Sequence, residues 1–261
     1  MTSAAPLLVD IDKRGVATLT LNRPDAFNAM SEDLLDALTA AIAALNQNDA
    51  LRVVVIQANG KAFCAGHDLK EMRAQPSDAY YAALFARCSH VMMGLQALPV
   101  PVIAKVHGLA TAAGCQLVAQ CDLAVASTSA QFAVSGVNLG LFCATPSVAL
   151  TRNLGRKAAF EMLATGAFIS AEEAVTKGLV NRVVEPEALD EATEALVQQI
   201  IPKPRVALQM GKALFYRQLE KTMGEAYSDA ATTMACNMME DSAQEGFQAF
   251  LDKRKPNWST G

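Results

Sequence analysis

The chain has 261 residues, enough for one large domain or one domain with a small appended helical piece. Hydrophobic residues make up 52% and charged residues 18%, which supplies a dry core and excludes a disordered chain. A net charge of −4 and a pI near 5.4 exclude a general nucleic-acid binder with a basic stripe, so an anionic ligand needs local cations or helix N-termini.

In chain order, Leu7–Ile11 and Val16–Leu21 read as two short strands around a turn at Lys13-Arg-Gly15. Ser31 is an expected N-cap, with Glu32 and Asp33 in the first turn of a helix whose buried stripe is Leu34, Leu35, Leu38, Ala41, Ile42 and Leu45. Arg52–Gln57 reads as a buried strand, and a helix is expected from Ala79 to Leu98, stopped by Pro99-Val-Pro101. Val102–Val106 is the next strand, followed by a short helix around Ala112–Gln120 and strands near Asp122–Ala126 and Gln131–Ser135. Ser170 with Glu173 forms a capping box, and beyond about Val184 nearly everything is helix-forming. The alternation predicts an α/β core over residues 1–195, and the helical run predicts a C-terminal helical region over 196–261.

Cys64, Cys88, Cys115, Cys121, Cys143 and Cys236 form no CxxC pair and have no His cluster beside them, which predicts reduced, mostly buried thiols and no metal site. The N-terminus reads as neither signal peptide nor transit segment, and no apolar run is long enough to span a bilayer. The expected setting is a bacterial cytoplasm or an organelle matrix, the cytoplasm being preferred.

Two turns carry the chemistry. Gly66 sits just before His67, where glycine permits a sharp turn that leaves the next N–H facing a cavity. Ala112-Ala-Gly114 lies at a helix start, where N–H groups lack internal partners. Two such N–H groups converging make an oxyanion hole. Each turn alone is also ordinary strand-to-helix punctuation.

Leu21-Asn-Arg-Pro-Asp-Ala-Phe-Asn-Ala29, Ala62-Phe-Cys-Ala-Gly-His-Asp-Leu-Lys-Glu71 and Val106-His-Gly-Leu-Ala-Thr-Ala-Ala-Gly-Cys-Gln116 resemble the crotonase (enoyl-CoA hydratase/isomerase) superfamily. So do Gly178–Val184 and Glu245–Arg254, in the family's order, and Gly140-Leu-Phe-Cys-Ala-Thr-Pro146 resembles the subgroup of enoyl-CoA hydratase domain-containing proteins. The resemblance implies repeated ββα units and a C-terminal helical region that forms homotrimers or hexamers (dimers of trimers). It implies an acyl-CoA or enoyl-CoA thioester, with coenzyme A as part of the substrate and no covalently bound cofactor. The oxyanion N–H groups would be those of His67 and Ala113. Coenzyme A would lie near Asp25, Ala26 and Phe27, along Ala65, Asp68 and Leu69, with Lys253 approaching the phosphates, its own or those of a neighbouring subunit.

The chain departs from the family where hydratases hold water between two glutamates, since those positions are Gln116 and Gly136. No Asp or Glu occurs between Asp122 and Glu161, so nucleophilic attack by Asp is also disfavoured. Losing a positioned acid–base group costs roughly 10²–10⁴-fold in rate. Hydration is therefore expected to be weak or altered, and restoring both glutamates to recover it. The alternatives are decarboxylation through a thioester enolate, because resembling methylmalonyl-CoA decarboxylases also carry His after this Gly, and thioester binding with little catalysis. Cys143 reads as packing rather than a nucleophile, and His90 and His107 as satisfied structural histidines.

Overall fold

The structure, a computed structural model, describes residues 5–258. Strands β1 (Leu7–Ile11) and β2 (Val16–Leu21) form an antiparallel hairpin, and Gly15 takes the turn at φ +78°. Helix α1 (Glu32–Asn46) begins where Ser31 Oγ accepts the Leu34 N–H at 3.2 Å, and it buries the expected Leu/Ala/Ile stripe. Next come β3 (Val53–Ala58), β4 (Ala62–Cys64), α2 (Leu69–Ala74) and α3 (Asp78–Ala97). The second unit is β5 (Val102–Val106), β6 (Leu109–Thr111) and α4 (Ala113–Gln120). The third is β7 (Leu123–Ser127), β8 (Gln131–Ala133) and α5 (Ala144–Asn153). Helix α6 (Arg156–Thr165), strand β9 (Ile169–Ser170), helix α7 (Ala171–Lys177), strand β10 (Arg182–Val184) and helix α8 (Leu189–Ile200) complete the α/β part. Helices α9 (Arg205–Gln218), α10 (Met223–Met238) and α11 (Asp241–Leu251) follow.

The strands form two sheets, ordered β1-β2-β3-β5-β7-β10 and β4-β6-β8-β9. Within each, the strands contributed by successive ββα units pair in parallel. Each unit thus gives a long strand to the first sheet and a short one to the second, before a helix covers them. The main core lies between the sheets and helices α1, α3 and α4, and a smaller one packs Leu189, Leu196 and Val197 of α8 on the outer face of the six-stranded sheet. Residues 195 and 196 therefore both lie inside α8, which packs on the α/β core. The predicted strand Gln131–Ser135 stops at Ala133, because residues from Ser135 enter a 3-10 turn. Among the described residues, no helix is long and apolar enough to cross a membrane.

One buried charged network joins α9 to the core. Asp122 accepts from Lys212 Nζ at 2.7 Å, Tyr216 Oη at 2.6 Å and the Val102 N–H at 2.7 Å. Lys212 also donates to the carbonyls of Leu95 and Val100 at 3.1 and 3.0 Å. Burial lowers the Lys212 pKa, and the Asp122 carboxylate opposes that shift. Removing one member of such a pair strands the other charge in a dry site, at a cost of about 3–5 kcal/mol. Lys212→Met should lower the urea midpoint accordingly; an unchanged midpoint would show that water reaches Asp122 freely.

Candidate functional site

The loop before α1 is held by an unusual backbone. Phe27 and Asn28 both have positive φ, 51° and 53°. Asn28 is fully buried and fixes the loop: its Oδ1 accepts the Arg23 N–H at 2.8 Å, and its Nδ2 donates to Asn59 and Ala62 carbonyls, both at 2.8 Å. The left-handed strain is sustained by these three bonds. The Phe27 carbonyl then accepts the Ala65 N–H at 3.0 Å, which ties the loop to the end of β4.

Beyond β4 the chain turns at Gly66, φ +95°. Met30 bridges to His67 as in a parallel pair: its N–H donates to the Gly66 carbonyl at 2.7 Å and its carbonyl accepts the Asp68 N–H at 3.2 Å. In that pattern the central residue's own N–H points the other way. The His67 N–H accordingly donates to no carbonyl among the described residues. The Ala113 N–H is the first of α4 and is equally unengaged. A Cβ on Gly66 would lie 3.6 Å from Ala113 N and 2.9 Å from Ala112 Cβ, so the two turns touch. The strained residue of the second turn is Ala112 (φ 52°, ψ −120°), not Gly114. Gly114 is needed for close approach instead, since a Cβ there would sit 2.0 Å from the Cys64 carbonyl oxygen.

Both turns line a cavity of about 180 Å³. Its walls include Ala65, Leu69, Met72, Phe85, Leu141 and Cys143. Among the described residues no carboxylate, lysine or arginine lines it, and His67 is the only ionisable lining group apart from the Cys143 thiol. The His67 ring packs edge-on to Phe85 at 5.5 Å, and both ring nitrogens are buried without a hydrogen-bond partner. Burial lowers the imidazole pKa below 6.5, opposed only by the Met30 backbone, which makes no proper hydrogen bond to it. Cys143 is buried, its thiol pushed up by burial despite the Gly136 N–H that donates to Sγ at 3.3 Å. It is a poor nucleophile.

The two positions expected to replace the glutamates, Gly136 and Gln116, differ. Gly136 lines the cavity, but a Cβ there would meet the Leu141 carbonyl oxygen at 2.4 Å and Cys143 Sγ at 2.7 Å. The expectation that glutamate could simply be restored at Gly136 is therefore corrected: backbone already occupies the place of its side chain. Gln116 is only 4% exposed and lies behind the cavity wall on α4, one turn beyond Ala113, with its Oε1 buried and unpartnered.

Of the coenzyme A positions expected by resemblance, Ala65 and Leu69 line the cavity, Asp25 and Phe27 are exposed nearby, and Ala26 ends a short 3-10 turn. Asp68 is less free than expected. Burial raises its carboxyl, but Arg23 at 2.9 Å and the Lys70 N–H hold it below the usual range. Its carboxylate is thus neutralised, which leaves backbone as its contribution to an anionic ligand. Lys253 is exposed past α11, and no residue of α9–α11 lines the cavity. His107 Nε2–H donates to the Gly60 carbonyl at 2.9 Å as expected, whereas His90 is exposed on α3 without a hydrogen-bond partner among the described residues. Met72 and Phe85 line the cavity, a choice between pocket and core that the sequence leaves open, since no spacing distinguishes a lining residue from a core one on a helix that does both.

These features match a known family. The family model described as enoyl-CoA hydratase/isomerase matches residues 12–261, and the chain belongs to that family, within the crotonase superfamily. It is 46% identical over 245 residues to "Enoyl-CoA hydratase domain-containing protein 3, mitochondrial" of Homo sapiens, covering 94% of this chain and 81% of that protein. It is 35% identical to a "Probable enoyl-CoA hydratase" of Rhizobium meliloti, covering 95% and 96% of the two chains. A crystal structure of an enoyl-CoA hydratase of Mycobacterium smegmatis superposes with a TM-score of 0.97 at 65% identity, covering 98% and 99%. That of the human domain-containing protein 3 does so with 0.93 at 45%, covering 97% and 100%.

The His67 shift has a consequence for stability. Below pH 6.5 the unfolded chain takes up a proton at this residue that the native state resists. Native stability from this residue is thus present above that pH and is lost as the pH falls toward the depressed native value. Urea midpoints should fall on acidification, less steeply in His67→Phe; parallel slopes would mean that the native imidazole is solvated.

Proposed function

We propose that this protein binds acyl-CoA or enoyl-CoA thioesters and polarises the thioester carbonyl between the N–H groups of His67 and Ala113, with hydration weak or altered. The observation that carries this reading is the contact of two turns, each with an unengaged N–H, on one apolar cavity without a carboxylate. Fixed donors aimed at a developing oxyanion are worth about 2.7–4 kcal/mol each. Gln116 can hold a water through its amide but cannot remove a proton from it at neutral pH. Gly136 offers no group at all. Enolate stabilisation is therefore the chemistry best provided for, and proton transfer the worst.

Coenzyme A is assigned to the loop Asp25–Phe27 and to Ala65, Asp68 and Leu69, with backbone groups meeting the ligand and Lys253 supplying charge. Because Lys253 is not among the residues that line the cavity of its own chain, the second subunit of an assembly is its expected point of action. Apart from the Lys212 and Tyr216 side chains that reach Asp122, helices α9 and α10 are largely open, and Met223, Tyr227 and Met234 are all more than 70% exposed. A face of this kind supports a homotrimer or hexamer, with α9–α11 as the assembling region. Six unpaired thiols suit a reducing compartment, and we place the protein in the cytoplasm.

Decarboxylation ranks below thioester binding with slow hydration, because no cation lines the cavity to hold a substrate carboxylate.

Infrared difference spectra of carbonyl-labelled butyryl-CoA test the oxyanion hole without relying on turnover. The bound thioester stretch should move to lower frequency; bound ligand with an unshifted stretch would sink the assignment. Ala113→Pro is a poor probe, since a proline steers the preceding residue toward ψ of about +120 to +160°, against −120° at Ala112. Crotonyl-CoA hydration should be slow in the native protein and rise about 10²-fold in Gln116→Glu. A fast native rate would show that another group activates the water.

A further inference from the structure

The end of the sheet opposite the candidate site carries an arginine that no carboxylate of the described residues balances. Strands β2 and β3 run parallel, so the loops that follow them meet the candidate site, while Gly15 and Arg52, which precede them, lie at the far end. The six residues of β2, at about 3.3 Å each, set the two ends about 20 Å apart. An open depression of about 700 Å³ lies at this far end, roomy enough for a nucleotide, and it shares no lining residue with the first cavity. Its walls hold three cations, Lys13, Arg14 and Arg52, against one acid, Asp12, in a chain of net charge −4. Arg14 is engaged by Asp12 at 2.7 Å and by Glu194, whereas Lys13 is exposed and has no partner among the described residues. Arg52 Nη2 donates to the carbonyls of Ile201 and Lys203 at 2.9 and 2.6 Å, which uses two of the five guanidinium N–H groups. Its Nε and Nη1 groups bond to nothing among the described residues and are open to solvent. Burial and the charge of Arg205 both lower the Arg52 pKa, and Arg205 itself has only the fully exposed Asp49 at 4.0 Å. Arg205 also opens α9, a helix with no acid in its first turn, so the local field is positive.

Trp258 forms another wall of the depression. It is the chain's only tryptophan, and it is half-buried. Its ring is set against Gly246 of α11, where a Cβ would lie 3.0 Å from Cη2. Arg254 and the Asn257 N–H bond Glu245 at 2.7 and 2.6 Å, which holds the tail that carries the ring. Gln198 also lines the depression; its Nε2 donates to Glu194 at 2.6 Å, and its Oε1 has no partner among the described residues. We propose that this depression binds a nucleoside phosphate, with the phosphate on the Nε–Nη1 edge of Arg52 and on Lys13, the base against the Trp258 ring and a ribose hydroxyl donating to Gln198 Oε1. A guanidinium edge meets two phosphate oxygens in parallel, which an ammonium does not. A base gains from an aromatic ring that is already held in place. A bare phosphate would leave the Trp258 ring uncovered, and a bare aromatic would leave Arg52 unbalanced. The site is independent of the thioester reading. Coenzyme A also carries a nucleotide, but its assigned loop, Asp25–Phe27, follows β2 at the other end of the strand, so competition separates the two sites.

The test is titration calorimetry of the full-length protein with ADP, adenosine, ribose 5-phosphate and inorganic phosphate, with and without saturating butyryl-CoA, alongside the fluorescence of Trp258. ADP should bind at least about tenfold tighter than adenosine or ribose 5-phosphate. It should change the Trp258 emission, lose affinity as salt is added, and bind equally well when butyryl-CoA is present. Arg52→Lys keeps the charge and loses the fork, and should weaken ADP about tenfold. Because Arg52 also ties down the connection between α8 and α9, two variants outside the core accompany it. Lys13→Ala in the hairpin turn and Trp258→Leu in the tail should each weaken ADP several-fold. Absence of ADP binding would overturn the proposal, as would an affinity unchanged in all three variants. Displacement of ADP by butyryl-CoA would place it in the coenzyme A site and overturn the proposal equally. Ribose 5-phosphate or inorganic phosphate binding as tightly as ADP would overturn the nucleotide assignment.

Discussion

A backbone contact organises the site: the Cys64 carbonyl at the end of β4 presses on Gly114 at the start of α4, where a Cβ would come within 2.0 Å. Only glycine allows the second short strand of one ββα unit and the helix of the next to meet at that distance. The rest follows in order. The Gly66 turn is brought against Ala112, Ala112 takes a positive φ, and residues 67 and 113 line the same cavity. In the function proposed above, both donors come from main chain alone, without a functional side chain. A chain can therefore keep its capacity to polarise a carbonyl while the residues for proton transfer change around it.

The change here is structural as well as chemical. At Gly136, a position where the resemblance implies a carboxylate in hydratases, the Leu141 carbonyl and the Cys143 thiol lie where a side chain would have to go. The Gly136 N–H bonds the thiol, and the Gly136 carbonyl accepts the Leu141 N–H at 3.0 Å. At Gln116 the proposed replacement would keep the side-chain shape, with an amide in place of an acid. The first loss is built into a loop and the second is a single atom's difference, so the two positions contribute unequally to what this cavity does.

Long periodic elements were legible from residues alone. The Leu34–Leu45 stripe, the Ser31 cap, the Ser170–Glu173 capping box and strands such as Val102–Val106 each announce themselves by spacing or by a cap that satisfies a helix end. The short strands β4 and β6 were not legible, because three residues carry no period. Those strands nevertheless place the turns at Gly66 and Ala112, and the family resemblance supplied what periodicity could not. Gly114 looked like turn chemistry and proved to be a contact; Ala112, with no sequence signal, carries the strain. Gly136 looked like a missing side chain, and only three-dimensional packing shows that its place is filled. Asp68 looked available to a ligand until Arg23, 45 residues earlier, was found beside it.

The buried network of Lys212, Tyr216 and Asp122 bears on how the molecule comes apart. Asp122 opens β7 and also holds the first N–H of β5, so the C-terminal helices are fastened to two central parallel strands. Peeling α9 away would leave a carboxylate in an apolar setting that neutral donors alone do not stabilise. Local fraying at the C-terminal end is therefore coupled to disruption of the sheet, and α9 belongs to the same cooperative unit as the strands that lead into the site. Amides in α9 near Lys212 should share the slow exchange of the central strands, although the rest of the helix is largely open.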